Sequence, residues 1–86
     1  MKTHVFRGKR YKILQPHTKN WWGETDDLAR TLKIARNQDD KQRLDTLIHE
    51  GLHAAIPDLD ESCVFETARD LATFILRDGW ERNGIL

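Results

Sequence analysis

At 86 residues the chain has room for one domain with one modest core. Charged residues make up 33% of it, yet Lys+Arg and Asp+Glu both number 14, so the formal net charge is zero and the isoelectric point lies near 6.9. No global charge therefore drives it onto nucleic acid or a membrane surface, its one cysteine, Cys63, excludes an internal disulfide framework, and no apolar run reaches membrane-spanning length.

The charge is unevenly spread. Lys2, Arg7, Lys9, Arg10, Lys12 and Lys19 are basic and the first twenty residues hold no acid, so the acids all fall later; this reads as a solvated basic hairpin or an anion-facing edge. After Met1-Lys2 the apolar run is broken at once by Arg7, Lys9 and Arg10, so no signal peptide is expected. With a lone thiol, this points to a reducing, cytoplasmic location.

Two β-prone runs, His4–Arg7 and Arg10–Leu14, flank Gly8-Lys9 and predict a hairpin. A two-residue loop there sets Phe6 opposite Tyr11 and His4 opposite Ile13, and Pro16 ends the second strand. Residues 15–29 (QPHTKNWWGETDDLA) hold neither strand nor helix period and read as a loop. Thr31–Arg36 alternates Leu32 and Ile34 with polar or small residues and reads as a third, half-buried strand. Asn37–Asp40 breaks it, and Asp39 or Asp40 can cap a helix over Lys41–Ile56. That helix carries Leu44, Leu47, Ile48, Gly51, Leu52 and Ala55 on one face. Pro57 closes it. A second helix is expected over Glu61–Arg77, with Val64, Phe65, Ala68, Leu71, Ala72, Ile75 and Leu76 inward; Gly79 and Gly84 mark its end and the tail. The fold class expected for residues 1–86 is a single α+β domain, a mostly antiparallel sheet of about three strands packed on two helices.

Inside the first helix lies Thr46–His53, TLIHEGLH. Residues four apart stack on one helical face, so His49 and His53 can aim two imidazoles at one ion. They fall about 140° to 180° round from Leu44, beside the apolar stripe, where a cleft-facing pair belongs. Glu50 lies a further ~60° round, poorly aligned as a ligand and well placed as a base. Zinc lowers the pKa of a bound water to about 7, so a neighbouring carboxylate can complete its deprotonation. Gly51 costs about 1 kcal/mol in a helix interior, and close approach of another backbone would account for it.

Catalytic zinc needs a third protein ligand and an open position. Asp58, Asp60, Glu61, Cys63 and Glu66 are near in sequence. Glu61 is the first choice, because it is in register with Phe65, Ala68 and Ala72 on the inward side, where a carboxylate needs a partner. A capping box from Asp58 to Glu61 is its structural alternative. Glu66 falls with Arg69 and Asp70 on the outer side; Asp60 and Cys63 follow, and Cys63 reads best as a small core or boundary thiol.

From about Trp22 to Leu76 (WWGETDD, RTLKIAR, DTLIHEGLHAAIPDLDE, VFETARDLATFIL) the chain resembles the HExxH zincin metallopeptidases, in particular small gluzincin-like domains of the ImmA/IrrE type and compact metallopeptidase-like proteins encoded by bacteriophages. The resemblance implies a zinc-dependent hydrolase of peptide bonds with one Zn2+ per chain. His49 and His53 would bind the metal with a later acid, Glu50 would be the general base, and the spacing of Glu61 to Val64, Ala68 and Leu71 fits the family's second helix. It implies a protein or peptide substrate, in the host cytoplasm if the protein is phage-encoded; the balanced charge and the lack of a long apolar run make a membrane partner unexpected and a nucleic-acid partner less expected than a peptide.

Trp21-Trp22 reads as one ring on the core and one over the loop, or as an aromatic cleft wall. His4 and His17 read as surface residues, although His17, Tyr11 or an arginine could stabilise an oxyanion. Thr31–Arg36 would be the sheet edge that pairs with substrate. The alternatives to a peptidase are a zinc-stabilised binding module with little or no turnover, and a nucleic-acid-associated protein using the basic hairpin and the tryptophans.

Overall fold

Strands Lys2–Phe6 (β1), Lys9–Leu14 (β2), Gly23–Asp26 (β3) and Thr31–Ile34 (β4) precede helices Asp40–Ala55 (α1) and Glu61–Arg77 (α2) in a computed structural model that describes residues 2–80. The architecture is α+β, as the periodicities imply. The sheet has four strands, one more than expected, in the order β1-β2-β4-β3. The added strand, β3, lies in the stretch read as loop. It has only four residues, GETD, and pairs antiparallel with β4. Too short to display a period, it is held by its neighbour. The sheet is mixed: β1–β2 and β3–β4 are antiparallel, and β2–β4 is parallel.

The first hairpin turns at Arg7-Gly8, one residue earlier than expected, with both residues at positive φ (50° and 85°). That is the two-residue geometry whose twist matches the flanking strands. His4 therefore faces Tyr11, and Phe6 faces Lys9. The register differs from the expected one by two residues, so every side chain keeps its face. Phe6 still meets Tyr11 edge-on, with ring centroids 5.7 Å apart. Arg7 reaches from the turn to the C-terminal end of α1, its Nη1 donating to the Ala55 carbonyl at 3.3 Å. A cation there complements the helix dipole.

The sheet edge also differs from the expected one. β4 has a hydrogen-bonded neighbour on each side, so Thr31–Arg36 is not the edge; β3 is. The inner face of the sheet gives the core Tyr11, Leu32 and Ile34, closed by Ala54 of α1, with Phe6, Ile13 and Leu47 packed around them. α1 lies between the sheet and α2. Its most buried residues are Arg43, Leu44, Thr46, Glu50 and Ala54, a set turned toward the sheet relative to the apolar stripe read from sequence. Three polar side chains are buried there with partners from loops, strand and helix: Arg43 Nη2 donates to Gln15 Oε1 at 2.9 Å, Thr46 Oγ1 donates to Gln38 Oε1 at 3.0 Å or to Gln42 O at 2.8 Å, and Glu50 Oε1 accepts from Thr25 Oγ1 at 2.7 Å.

α2 packs on α1 through Val64, Ala68 and Ala72, each with no exposed surface. Their spacing of four forms a narrow seam of small side chains that lets the helices approach closely. Phe65 and Leu71, expected inward, are exposed, as is Phe74. Asp39 caps α1 by accepting from the Gln42 N–H at 2.8 Å, and Asp60 caps α2 by accepting from the Cys63 N–H at 2.8 Å; the cap of α2 is thus Asp60, not Asp58. Gly79, at φ 92°, follows α2, while Gly84 lies outside the described residues. Among the described residues no helix is long and apolar enough to cross a membrane.

Candidate metal centre

The short connection after α1 turns α2 back so that its first residue faces the last turns of α1. Glu61 there takes one imidazole on each carboxylate oxygen: His49 Nε2 is 2.9 Å from Oε1, and His53 Nε2 is 3.0 Å from Oε2. The imidazole centroids are 5.0 Å apart at 64°. One donor atom from each of the three residues lies within 4.8 Å of the others, close enough to share one metal ion. The side chains of His49 and His53 are 17% and 26% exposed, and that of Glu61 is 69% exposed. Glu61 is therefore on the open rim of the helix pair and not on an inward face as helical phase suggested; its partners are the histidines themselves.

The other acids are elsewhere engaged or apart. Asp60 is the α2 cap; its carboxyl is held below the usual 3.8, first by the Cys63 backbone N–H and then by the Ser62 hydroxyl. Glu66 is exposed and outside the cluster. Cys63 is exposed too, its Sγ 3.9 Å from Thr67 Oγ1, so it is not a core thiol.

Glu50 is 8% exposed and faces β3, not open solvent. Thr25 Oγ1 lies 2.7 Å from Glu50 Oε1 and 3.1 Å from the Glu50 carbonyl. With one proton to give, the hydroxyl serves the carboxylate at the shorter distance. Gly23 makes this approach feasible. A Cβ there would stand 2.6 Å from Thr46 Cγ2, 2.8 Å from Glu50 Cγ and 3.1 Å from Glu50 Oε2. No such approach exists at Gly51, where a Cβ would meet only Phe6 Cε1 at 3.7 Å. The tight glycine is the one on the strand.

Glu50 lines two clefts. One, of about 460 Å³, also holds His49, Trp22, Gly23, Phe65 and Arg69; the other, of about 260 Å³, holds Thr25, Asp27, His53 and Pro57. Trp22 is thus a wall of the larger cleft, and with Trp21, Lys19 and Asn37 it also lines a further hollow. Of the residues weighed for an oxyanion, Arg69 lies in the larger cleft. Tyr11 is 1% exposed and donates to Asp27 Oδ1 at 2.7 Å. Burial first, then that hydrogen bond, raises its pKa above 10.0. His17 is exposed on the loop, and His4 is an exposed strand residue packed edge-on to Phe6 at 4.6 Å.

Gly23, Thr25 and Asp27 were not singled out in the sequence. The usable signal was local: Gly-x-Thr sits next to a tryptophan, two residues apart and so on one face of an extended chain. No protein-family model matches the chain, and comparison with curated proteins and with solved structures gives no significant match.

Proposed function

We propose that the chain is a zinc-dependent peptidase that uses His49, His53 and Glu61 as metal ligands and Glu50 as general base. The observation that carries this is the division of one helical turn. Its two imidazoles converge on Glu61, while the carboxylate between them in sequence is turned inward, tethered to Thr25 and open to the clefts on both sides.

The donor set fits the metal. Two imidazole nitrogens and one carboxylate oxygen are the N/O ligands that catalytic zinc accepts while keeping a fourth position for water or substrate. Each imidazole must be neutral and present a lone pair from Nε2, the atom already directed at the shared point. When bound, zinc supplies Lewis acidity, lowering the pKa of a water and polarising a carbonyl. Glu50 takes the proton of the attacking water and delivers it to the departing amine nitrogen, a role that needs a carboxylate fixed in place. The Thr25 hydroxyl fixes one oxygen of that carboxylate, leaving the other for proton transfer. The unpaired edge of β3 runs beside both clefts, so an extended peptide can add to the sheet there with its backbone beside Glu50.

The test is peptide hydrolysis by the zinc-loaded chain against its Glu50→Gln variant, with metal content measured in both. Turnover in the wild type, with zinc kept and turnover lost in the variant, supports the peptidase. Zinc bound in both with no turnover by the wild type on a diverse peptide set would instead identify a zinc-held binding module.

A further inference from the structure

The clefts on either side of Glu50 differ in chemistry. In the larger one, Trp22 and Phe65 are each 53% exposed and belong to different elements, the approach to β3 and helix α2. Two half-open aromatic rings in one cleft offer flat apolar walls to an inserted side chain. Besides Glu50, which both clefts share, its acid and base are Asp45 from α1 and Arg69 from α2, the latter with its guanidinium 5.3 Å from the Phe65 ring centroid. Apart from the shared Glu50, the acid and the base of that lining offset each other, so its distinguishing feature is the aromatic pair.

The smaller cleft is different. Asp27 sits on its rim, and the Tyr11 hydroxyl orients its carboxylate through Oδ1. Among the described residues Asp27 forms no salt bridge. Arg30, the nearby cation, is directed elsewhere: its Nε donates to the Asp27 main-chain carbonyl at 3.1 Å and its guanidinium lies 5.7 Å from the Tyr11 ring centroid. An oriented carboxylate without a counter-ion, facing a cleft beside His53, suits an ammonium or guanidinium.

Resting on the peptidase reading, we propose that these clefts are two subsites of opposite preference, so that the protein selects peptides carrying a large apolar or aromatic residue toward Trp22 and Phe65 and a cationic group toward Asp27. The cation can be a peptide's own N-terminal ammonium or a Lys or Arg side chain. Because β3 runs from Gly23 at the first cleft to Asp26 beside the second, one extended peptide on that edge reaches both.

The experiment measures binding as well as cleavage. Pentapeptides with one phenylalanine are titrated into the full zinc-loaded Glu50→Gln chain, with binding followed by tryptophan fluorescence and by backbone amide shifts at Thr25 and Asp27. One series is N-acetylated and carries lysine or norleucine; a second lacks lysine and has a free or acetylated N-terminus. The lysine or the free-amine peptide should bind about tenfold tighter than its neutral counterpart, the worth of one charge-assisted hydrogen bond, and the advantage should shrink with added salt. Whichever series shows the preference identifies the source of the cation. Asp27→Asn, which keeps an acceptor for Tyr11, should erase the preference, and Trp22→Ala should weaken the phenylalanine peptides selectively. Equal binding of charged and neutral peptides, or a preference that survives Asp27→Asn, would overturn the inference even if the wild type hydrolyses peptides. The predicted preference without hydrolysis by the wild type would sustain the subsites and reject the catalytic reading.

Discussion

Replacing Gly23 with alanine tests whether the strand-to-helix approach positions Glu50, the proposed base. The added Cβ would lie 2.6 Å from Thr46 Cγ2 and 2.8 Å from Glu50 Cγ. Neither is the loose end of a flexible side chain. Thr46 is β-branched and 4% exposed, and its hydroxyl is engaged with Gln38 and the Gln42 carbonyl, so its χ1 cannot turn cheaply. Glu50 is 8% exposed and tied to Thr25. Overpacking costs about 1–3 kcal/mol, and with two stiff contacts the expected loss is about 2–3 kcal/mol. In urea that lowers the unfolding midpoint by roughly 1–2 M at an m-value ordinary for a small domain. Turnover should fall as well, because the strain displaces Glu50 itself. Gly51→Ala is the control. Its Cβ would find ordinary contact with Phe6 at 3.7 Å, and removing a helix-interior glycine should stabilise by about 0.5–1 kcal/mol. If Gly23→Ala stays within about 0.5 kcal/mol of wild type and retains turnover, the close-approach reasoning is wrong.

Thr25→Val keeps the shape of the side chain and removes the donor to Glu50 Oε1. Turnover should drop roughly 10- to 100-fold with KM and zinc content unchanged, since a misplaced base loses rate and not metal; steady-state kinetics with metal analysis checks this. For Tyr11, the folded-state pKa lies above the ordinary 10.0, so the folded protein holds the phenolic proton more tightly than the unfolded chain. Its contribution to stability is full below about pH 10 and is lost as pH rises through the raised value. Tyr11→Phe should therefore be less stable than wild type at neutral pH, by about 1 kcal/mol for the hydrogen bond to Asp27, and the gap should close under alkaline conditions. Denaturation curves from pH 7 to 11 measure it, and a constant gap would show that Tyr11 is not the titrating group.

The two helices were legible because each is long enough to repeat its apolar spacing, and the helix over Glu61–Arg77 begins at the residue that the Asp60 cap dictates. His49 and His53 were legible for the same reason: a four-residue spacing on a helix fixes direction. Glu61 does meet both histidines, but from an open rim and not from the inward face that helical phase implies. What was hidden depends on the third dimension. β3 has no period of its own and exists because β4 offers a partner. The parallel pairing of β2 with β4 moves Thr31–Ile34 into the middle of the sheet, which no local pattern encodes. The burial of Glu50 follows from Gly23, some 27 residues earlier in the chain, and only packing joins them.

Metal binding by the purified chain and its single-site variants decides whether His49, His53 and Glu61 hold an ion. About one zinc per chain is expected, lost or greatly weakened in His49→Ala, His53→Ala and Glu61→Ala, and unchanged in Glu66→Ala. A folded wild-type chain that takes up no zinc, or one whose zinc survives Glu61→Ala and disappears in Glu66→Ala, would contradict that set of ligands.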